Sequence, residues 1–273
     1  MSLVTTKWLN NNLNNVKILD CSWHLPSKKI DPLTEFMKGH IPNSIFFDLD
    51  KNSDLNTDLP HMLPKKKTWE QSMSNHGICN KDKVIIYDDS DLISSCRCWY
   101  NFIYFGHNPK LVSILDGGLK KWKIEKKLIT KKIKKIYKSK YLAIEQKKLV
   151  KNKAQIKKNI YERDFVVIDA RSKERFNGIT PEPRKNVNSG SIENSFCLPF
   201  TELINKDQTF KNKEYIKNKF DEIIRNVNQE KIVFSCGSGV TACVLALAYS
   251  LINVKYMPTI YDGSWAEYGK NKI

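Results

Sequence analysis

"KIVFSCGSGVTACVLALAYSLI", residues 231–252, places one thiol between two elements of different kind. The β-branched, apolar "IVFS" leads straight into Cys236, "GSG" follows, and an apolar run from Ala242 to Ile252 has the composition of a buried helix. Gly237 and Gly239 let the backbone curl tightly, so that successive N–H groups can converge on one point. The helix behind them adds its own N-terminal donors and partial positive charge. A cysteine at that focus is favoured as the thiolate, its nucleophilic form, and the same donors would hold an anion or sulfur adduct formed there. Cys21, Cys197 and Cys243 read instead as space-filling thiols, and Cys96 and Cys98 fall where a helix is already under way.

The pattern around this stretch occurs twice. "VKILDCSW" ends an apolar run at Asp20, and "FVVIDARS" ends one at Asp169, an offset of 149. Gly39 of "GHIPNSIFFDLD" pairs with Gly190 of "GSIENSFCLPF" at 151, Asp88 of "KVIIYDD" with Cys236 at 148, and Asp116 of "LVSILDGGLKKW" with Asp262 of "IYDGSWAEY" at 146. Four near-equal offsets make a tandem duplication of one α/β unit. Short apolar runs alternating with helical stretches imply a parallel sheet flanked by helices in each copy. Ligands of such sheets bind beyond the carboxyl ends of the strands, and Cys236 directly follows one. The boundaries read as residues 1–125, a basic connector over 126–145, and residues 146–273.

A formal charge of +17, from 46 basic against 29 acidic residues, raises the question of nucleic acid. Lys, Asn and Ile are abundant throughout, as in a chain whose composition drifts with an AT-rich genome. The densest basic stretch, "KKWKIEKKLITKKIKKIYKSKYL" over 120–142, carries no nucleic-acid-binding motif and reads as a solvated linker. Charge alone gives only sequence-independent attraction. "MSLVTTKWLNNNLNN" at residues 1–15 lacks the apolar core of a signal peptide, and no apolar run has the length of a membrane span. Seven cysteines without a CxxC pair fit neither a disulfide framework nor a zinc site. The expected compartment is the reducing cytoplasm, and a monomer is expected, with no nucleic-acid or membrane partner.

"CGSGVT" after a strand, "DGSWAEYG" at 262–269, "GHIP" and "FFDLD" in the first half, "PHMLP" at 60–64 and "RFNGITPEPR" at 175–184 stand in one order. With the duplicated unit, they resemble the two-domain rhodanese-type sulfurtransferases, and within these the 3-mercaptopyruvate enzymes. The resemblance covers nearly the whole chain and is weakest in the connector. It implies a catalytic second domain and a silent first one, in agreement with Asp88 standing where Cys236 does, since a carboxylate cannot carry sulfur. It also implies a Cys236 persulfide, release of pyruvate, transfer to a thiol such as thioredoxin or glutathione (or to cyanide), and no metal or organic cofactor. Arg175 and Arg184 would hold the donor's carboxylate and carbonyl, for which the planar guanidinium fork is suited. Gly237, Gly239, Val240 and Thr241 would line the substrate, while Ser238, His61 and Asp50 would relay the proton that the departing enolate needs. The second half departs from the family's Gly-His-Ile-Pro at Gly190, Ser191, Ile192 and Glu193.

Enzymes specific for thiosulfate carry Arg and Lys directly after the cysteine; here Gly237 and Ser238 are neutral. Thiosulfate:cyanide sulfur transfer is therefore the alternative activity, and a non-catalytic sulfur-relay or binding module the alternative class. A dual-specificity phosphatase would need an arginine closing a longer loop, where this chain has Ala242 and Cys243.

Overall fold

The computed structural model describes residues 2–224 and 231–270. Five strands come from the first half: β1 (Leu3–Val4), β2 (Lys17–Asp20), β3 (Ser44–Phe46), β4 (Val84–Tyr87) and β5 (Val112–Leu115). Five more come from the second: β6 (Val150–Lys151), β7 (Val166–Asp169), β8 (Phe196–Cys197), β9 (Ile232–Ser235) and β10 (Ile260–Tyr261). The sheet orders are β1-β5-β4-β2-β3 and β6-β10-β9-β7-β8, so the same order occurs in both halves. Every pairing is parallel. The two tandem α/β units expected from the offsets are therefore present. β4 and β9, each with a neighbour on both sides and every residue buried, are the "VIIY" and "IVFS" runs. A strand covered on both faces needs apolar residues at every position, which is why neither run alternates.

The chain divides into two compact units. The first holds the chain up to Leu55, then Leu63–Gln146 and Asn205–Phe210; the second holds Asn56–Met62, Lys147–Ile204 and the chain from Lys211. In the first, helix Ser95–Tyr104 is buried along its whole length. Trp69 stacks on Phe105 at 4.9 Å between ring centroids and meets the edge of Phe102 at 5.1 Å. The inserted 205–210 segment is fixed by a hydrogen bond from the Phe210 N–H to Asp116 (2.9 Å) and by the Lys121–Asp207 pair (2.8 Å). In the second unit, helix Ala242–Ile252 lies buried behind β9, and Trp265 joins Val167, Val233 and Tyr261 in the core.

Residues 126–145, expected as a solvated linker, are built onto the first unit. Thr130 and His40 exchange backbone hydrogen bonds of 2.9 and 3.0 Å, and the Ser139 N–H donates to the Ser74 carbonyl (3.0 Å). Tyr141 and Ala143 are buried while most of the lysines remain exposed. An extended backbone needs partners for its N–H and C=O groups whatever its side chains do, and here the unit's surface supplies them. No described helix is long and apolar enough to cross a membrane.

Asp20 closes β2 in the interior, accepting from the Ser22 N–H (2.9 Å) and hydroxyl (2.5 Å). Burial pushes its carboxyl up to about 6, and neighbouring Asp88 pushes the same way, against the pull of the Ser22 bonds. The folded state thus holds this proton more tightly than the unfolded chain, so the group's contribution to stability falls as pH rises through the window from about 4 to about 6. Asp20→Asn should abolish up to about 3 kcal/mol of that pH-dependent loss. Urea unfolding at pH 4.5 and pH 7.5 checks it: the stability difference between the two pH values should shrink in the variant.

Candidate active site

Cys236 is the first residue beyond β9, at the carboxyl end of the sheet, and only 1% of its surface is exposed. Gly239 takes φ +74, a left-handed turn that reverses the chain before helix Ala242–Ile252. The loop is gripped from the C-terminal side of the unit. The Trp265 N–H donates to the Cys236 carbonyl and the Ala266 N–H to that of Gly237, both at 2.9 Å. The Ser264 hydroxyl accepts from the N–H groups of Cys236 (3.2 Å) and Gly239 (3.1 Å). Not every loop N–H is thus available to a ligand, as the sequence alone suggested. Those of Gly237, Ser238, Val240 and Thr241 have no hydrogen-bond partner among the described residues, and they are the donors the loop can offer. Cys243 lies one helical turn on, its thiol against the Gly239 carbonyl at 3.2 Å, in the space-filling role expected of it.

Two arginines cover this loop. A methyl group on Gly237 would stand 3.1 Å from Nη2 of Arg175 and 3.5 Å from Nη1 of Arg184, so the missing side chain is what admits both guanidinium groups. Arg175 rides on the short helix Lys173–Phe176 after β7 and is held by Glu182, from Nε at 3.1 Å and from Nη2 at 2.5 Å. Glu182 also accepts from Arg171 (2.8 Å), whose other N–H groups bind Asp169 at the end of β7 and the Gly190 carbonyl. The Arg171 guanidinium lies 4.5 Å over the Trp265 ring. Arg184 donates to the Ser238 hydroxyl at 3.2 Å.

His61 belongs to this unit, since residues 56–62 fold with it. It adopts a left-handed φ of 59, is buried, and sets Nδ1 3.0 Å from the Ser238 hydroxyl. Cys236, Gly237, Ser238, Gly239, Val240, Thr241, Arg175, Arg184 and His61 are thereby assembled in one unit. Asp50 folds with the other, where its carboxylate takes the indole N–H of Trp23 at 2.9 Å. Sequence reasoning passed over Arg171, Glu182 and Ser264. Glu182 sits in plain view in "ITPEPR", two residues before Arg184, but nothing in the string shows that it clamps a residue seven positions earlier.

The loop of the first unit is filled by its own anion. Asp88, in the place of Cys236, accepts from the N–H groups of Ser90 and Ser94 (both 3.2 Å) and from the Ser90 hydroxyl (2.5 Å), while burial pushes its carboxyl up. Donors that could meet a ligand meet a side chain instead. Among the described residues, no group of three His, Cys, Asp or Glu side chains could hold a metal ion.

The chain resembles known proteins over nearly its whole length. The model of the rhodanese-like domain matches residues 5–125 and again 152–271. The chain is 38% identical to thiosulfate/3-mercaptopyruvate sulfurtransferase 1, mitochondrial, of Arabidopsis thaliana, over 97% of this chain and 75% of that protein. It is 37% identical to the 3-mercaptopyruvate sulfurtransferase of Mus musculus, over 98% of this chain and 91% of the other. It superimposes on the crystal structure of SseA from Escherichia coli, a 3-mercaptopyruvate sulfotransferase by name, with a TM-score of 0.85, 31% identity, and coverage of 97% and 99%.

Glu182 is the shared acceptor of a buried Arg171 and a half-covered Arg175. Glu182→Gln removes its charge and leaves Arg171 only partly compensated, which in a buried pair costs about 3 kcal/mol. Urea unfolding should show a midpoint lowered accordingly, and Arg175→Ala, which leaves the Arg171 pair intact, should lower it much less.

Proposed function

The chain belongs to the rhodanese-like family of sulfurtransferases, and on that premise we propose that it carries sulfur from 3-mercaptopyruvate to a thiol by way of Cys236. The observation that carries this reading is the pair of guanidinium groups over Gly237, beside a cysteine loop with no cation of its own. A dianion such as thiosulfate is best met by charge right beside the sulfur. A 2-oxo acid carries its carboxylate and carbonyl some bonds away, where Arg175 and Arg184 stand.

The Cys236 thiolate attacks the thiol sulfur of the donor, forming an S–S bond as the carbon–sulfur bond breaks. The electron pair of that bond leaves as the enolate of pyruvate. The proton of the donor's thiol is transferred, in net terms, to the enolate carbon, so the products are a Cys236 persulfide anion and pyruvate. Ser238, bonded to both His61 Nδ1 and Arg184, is suited to pass that proton, with Asp50 as a further relay member proposed on the resemblance alone. An acceptor thiolate then attacks the outer sulfur and restores Cys236. Thioredoxin, glutathione and, in the test tube, cyanide are the proposed acceptors; the cytoplasm and a monomeric state are proposed with them. Thiosulfate is the second donor, favoured by the same two cations at lower efficiency.

After donor alone, intact mass spectrometry should show the gain of one sulfur atom, lost again on adding thiol and absent in Cys236→Ser. No adduct under these conditions would overturn the persulfide route. Arg184→Ala should lower kcat/KM for mercaptopyruvate by roughly ten- to hundredfold, the equivalent of about 1–3 kcal/mol from a charge-assisted contact, and lower that for thiosulfate less. An unchanged ratio of the two donors' kcat/KM would remove Arg184 as the selector. The converse substitution, Gly237→Arg, is a poor probe of selectivity, since its side chain would be driven into the two guanidinium groups already there.

A further inference from the structure

Ser264 has φ +48, in the left-handed region that side chains avoid, and it is wholly buried. The first unit has Gly118 at the corresponding place, with φ +54. The correspondence rests on contacts as well as order. Each residue stands second after the aspartate that follows its unit's fifth strand, in Asp116-Gly117-Gly118 and Asp262-Gly263-Ser264. The next N–H donates to the carbonyl of the loop's first residue in both, Leu119 to Asp88 at 3.0 Å and Trp265 to Cys236 at 2.9 Å. In the first unit only glycine fits, because a Cβ on Gly118 would lie 2.4 Å from the Asp88 carbonyl oxygen. The second unit makes room for a Cβ and keeps a strained serine where glycine would sit without strain.

The Ser264 hydroxyl shows what the strain supports. It donates to the Tyr261 carbonyl at 2.8 Å and accepts from the N–H groups of Cys236 (3.2 Å) and Gly239 (3.1 Å). One hydroxyl has one donor and two lone pairs, and all three are used. It ties the first and fourth residues of the loop to the end of β10. In the first unit the Asp88 carboxylate accepts from the Ser90 and Ser94 N–H groups and the Ser22 hydroxyl after β2 accepts from that of Asp89 (2.8 Å), so the loop is held without a hydroxyl at the place of Ser264, where Gly118 stands. Strain at an over-determined position next to reactive chemistry points to a role in that chemistry.

We propose that Ser264 is a positioning residue for the reaction: its hydroxyl fixes the Cys236–Gly239 turn so that the thiolate and the remaining loop N–H groups face the transferred sulfur. This rests on Cys236 being the reactive thiol, and the test separates the two ideas. Ser264→Gly removes the hydroxyl and the backbone strain together. If Ser264 merely fills space, this variant should be at least as stable as the wild type and fully active.

Positioning predicts a different result. The variant should melt near the wild-type temperature, while kcat for sulfur transfer falls at least about tenfold with KM changed by less than about threefold. The rate of Cys236 carboxamidomethylation by iodoacetamide, read on the Cys236 peptide by mass spectrometry, should fall in parallel. Alkylation needs no sulfur donor, so it reads the positioning of the thiol even if mercaptopyruvate proves to be the wrong substrate. Ser264→Ala, which keeps Cβ and strain but lacks the hydroxyl, should show the same kinetic loss with lower stability. Retention of both rates within about twofold in a folded Ser264→Gly protein would overturn the proposal. Should neither variant fold, amide hydrogen exchange of the wild type decides: the Cys236 and Gly239 amides should exchange at least about tenfold more slowly than those of Gly237 and Ser238. Equal rates would overturn it.

Discussion

The second unit depends on one buried carboxylate. Glu182 accepts from Arg171 on one side and from Arg175 on the other, and Arg171 is in turn clamped to Asp169 at the end of β7. A carboxylate and a guanidinium taken out of water cost several kcal/mol each, which is recovered only when their remaining hydrogen-bonding capacity is filled. Here it is filled, by paired charges, by the Gly190 carbonyl and by the face of Trp265. That requirement fixes the course of the 171–190 segment relative to the sheet. It also fixes where the Arg175 guanidinium ends, within contact distance of a Cβ at Gly237. The Arg175 guanidinium is therefore held in place by the fold itself, which lowers the ordering cost of any anion bound there.

The two units show how little of a fold needs to change for the donors of one loop to meet different partners. Strand order, the parallel pairing and the bond from the C-terminal segment to the loop's first carbonyl recur in both. What differs is which group satisfies the loop's donors. In the first unit Asp88 turns its carboxylate inward and binds Ser90 and Ser94. In the second Cys236 brings no carboxylate, several loop N–H groups have no partner among the described residues, and a serine hydroxyl takes up two others. Sheet and helices supply the same scaffold in both, and function lies in the grafted loop.

The sequence alone carried the duplication, the α/β class, the buried strands "VIIY" and "IVFS", and the pairing of Asp88 in the first unit with Cys236 in the second. Each is a local pattern: four offsets near 149, uninterrupted β-branched runs, Asp in place of Cys. The neutrality of Gly237 and Ser238 and the nearness of Arg175 to Arg184 in the chain were equally legible. The connector was misread because lysine content reports where side chains go, while the burial of Tyr141 and the backbone bonds of Thr130 and Ser139 depend on a surface far away in sequence.

Only the tertiary structure decided which of these residues meet. His61 folds with the second unit although it lies in the first half of the chain, and its ring reaches a serine 177 residues away. Glu182 looks like one more surface acid until two arginines are seen to share it. Ser264 looks like an ordinary small residue in a turn until its φ and its three hydrogen bonds are known. Composition and periodicity fix what a residue prefers by itself and beside its neighbours. Desolvation, shared partners and backbone strain arise only when distant segments are pressed together, so the positioning of the thiol could be found only there.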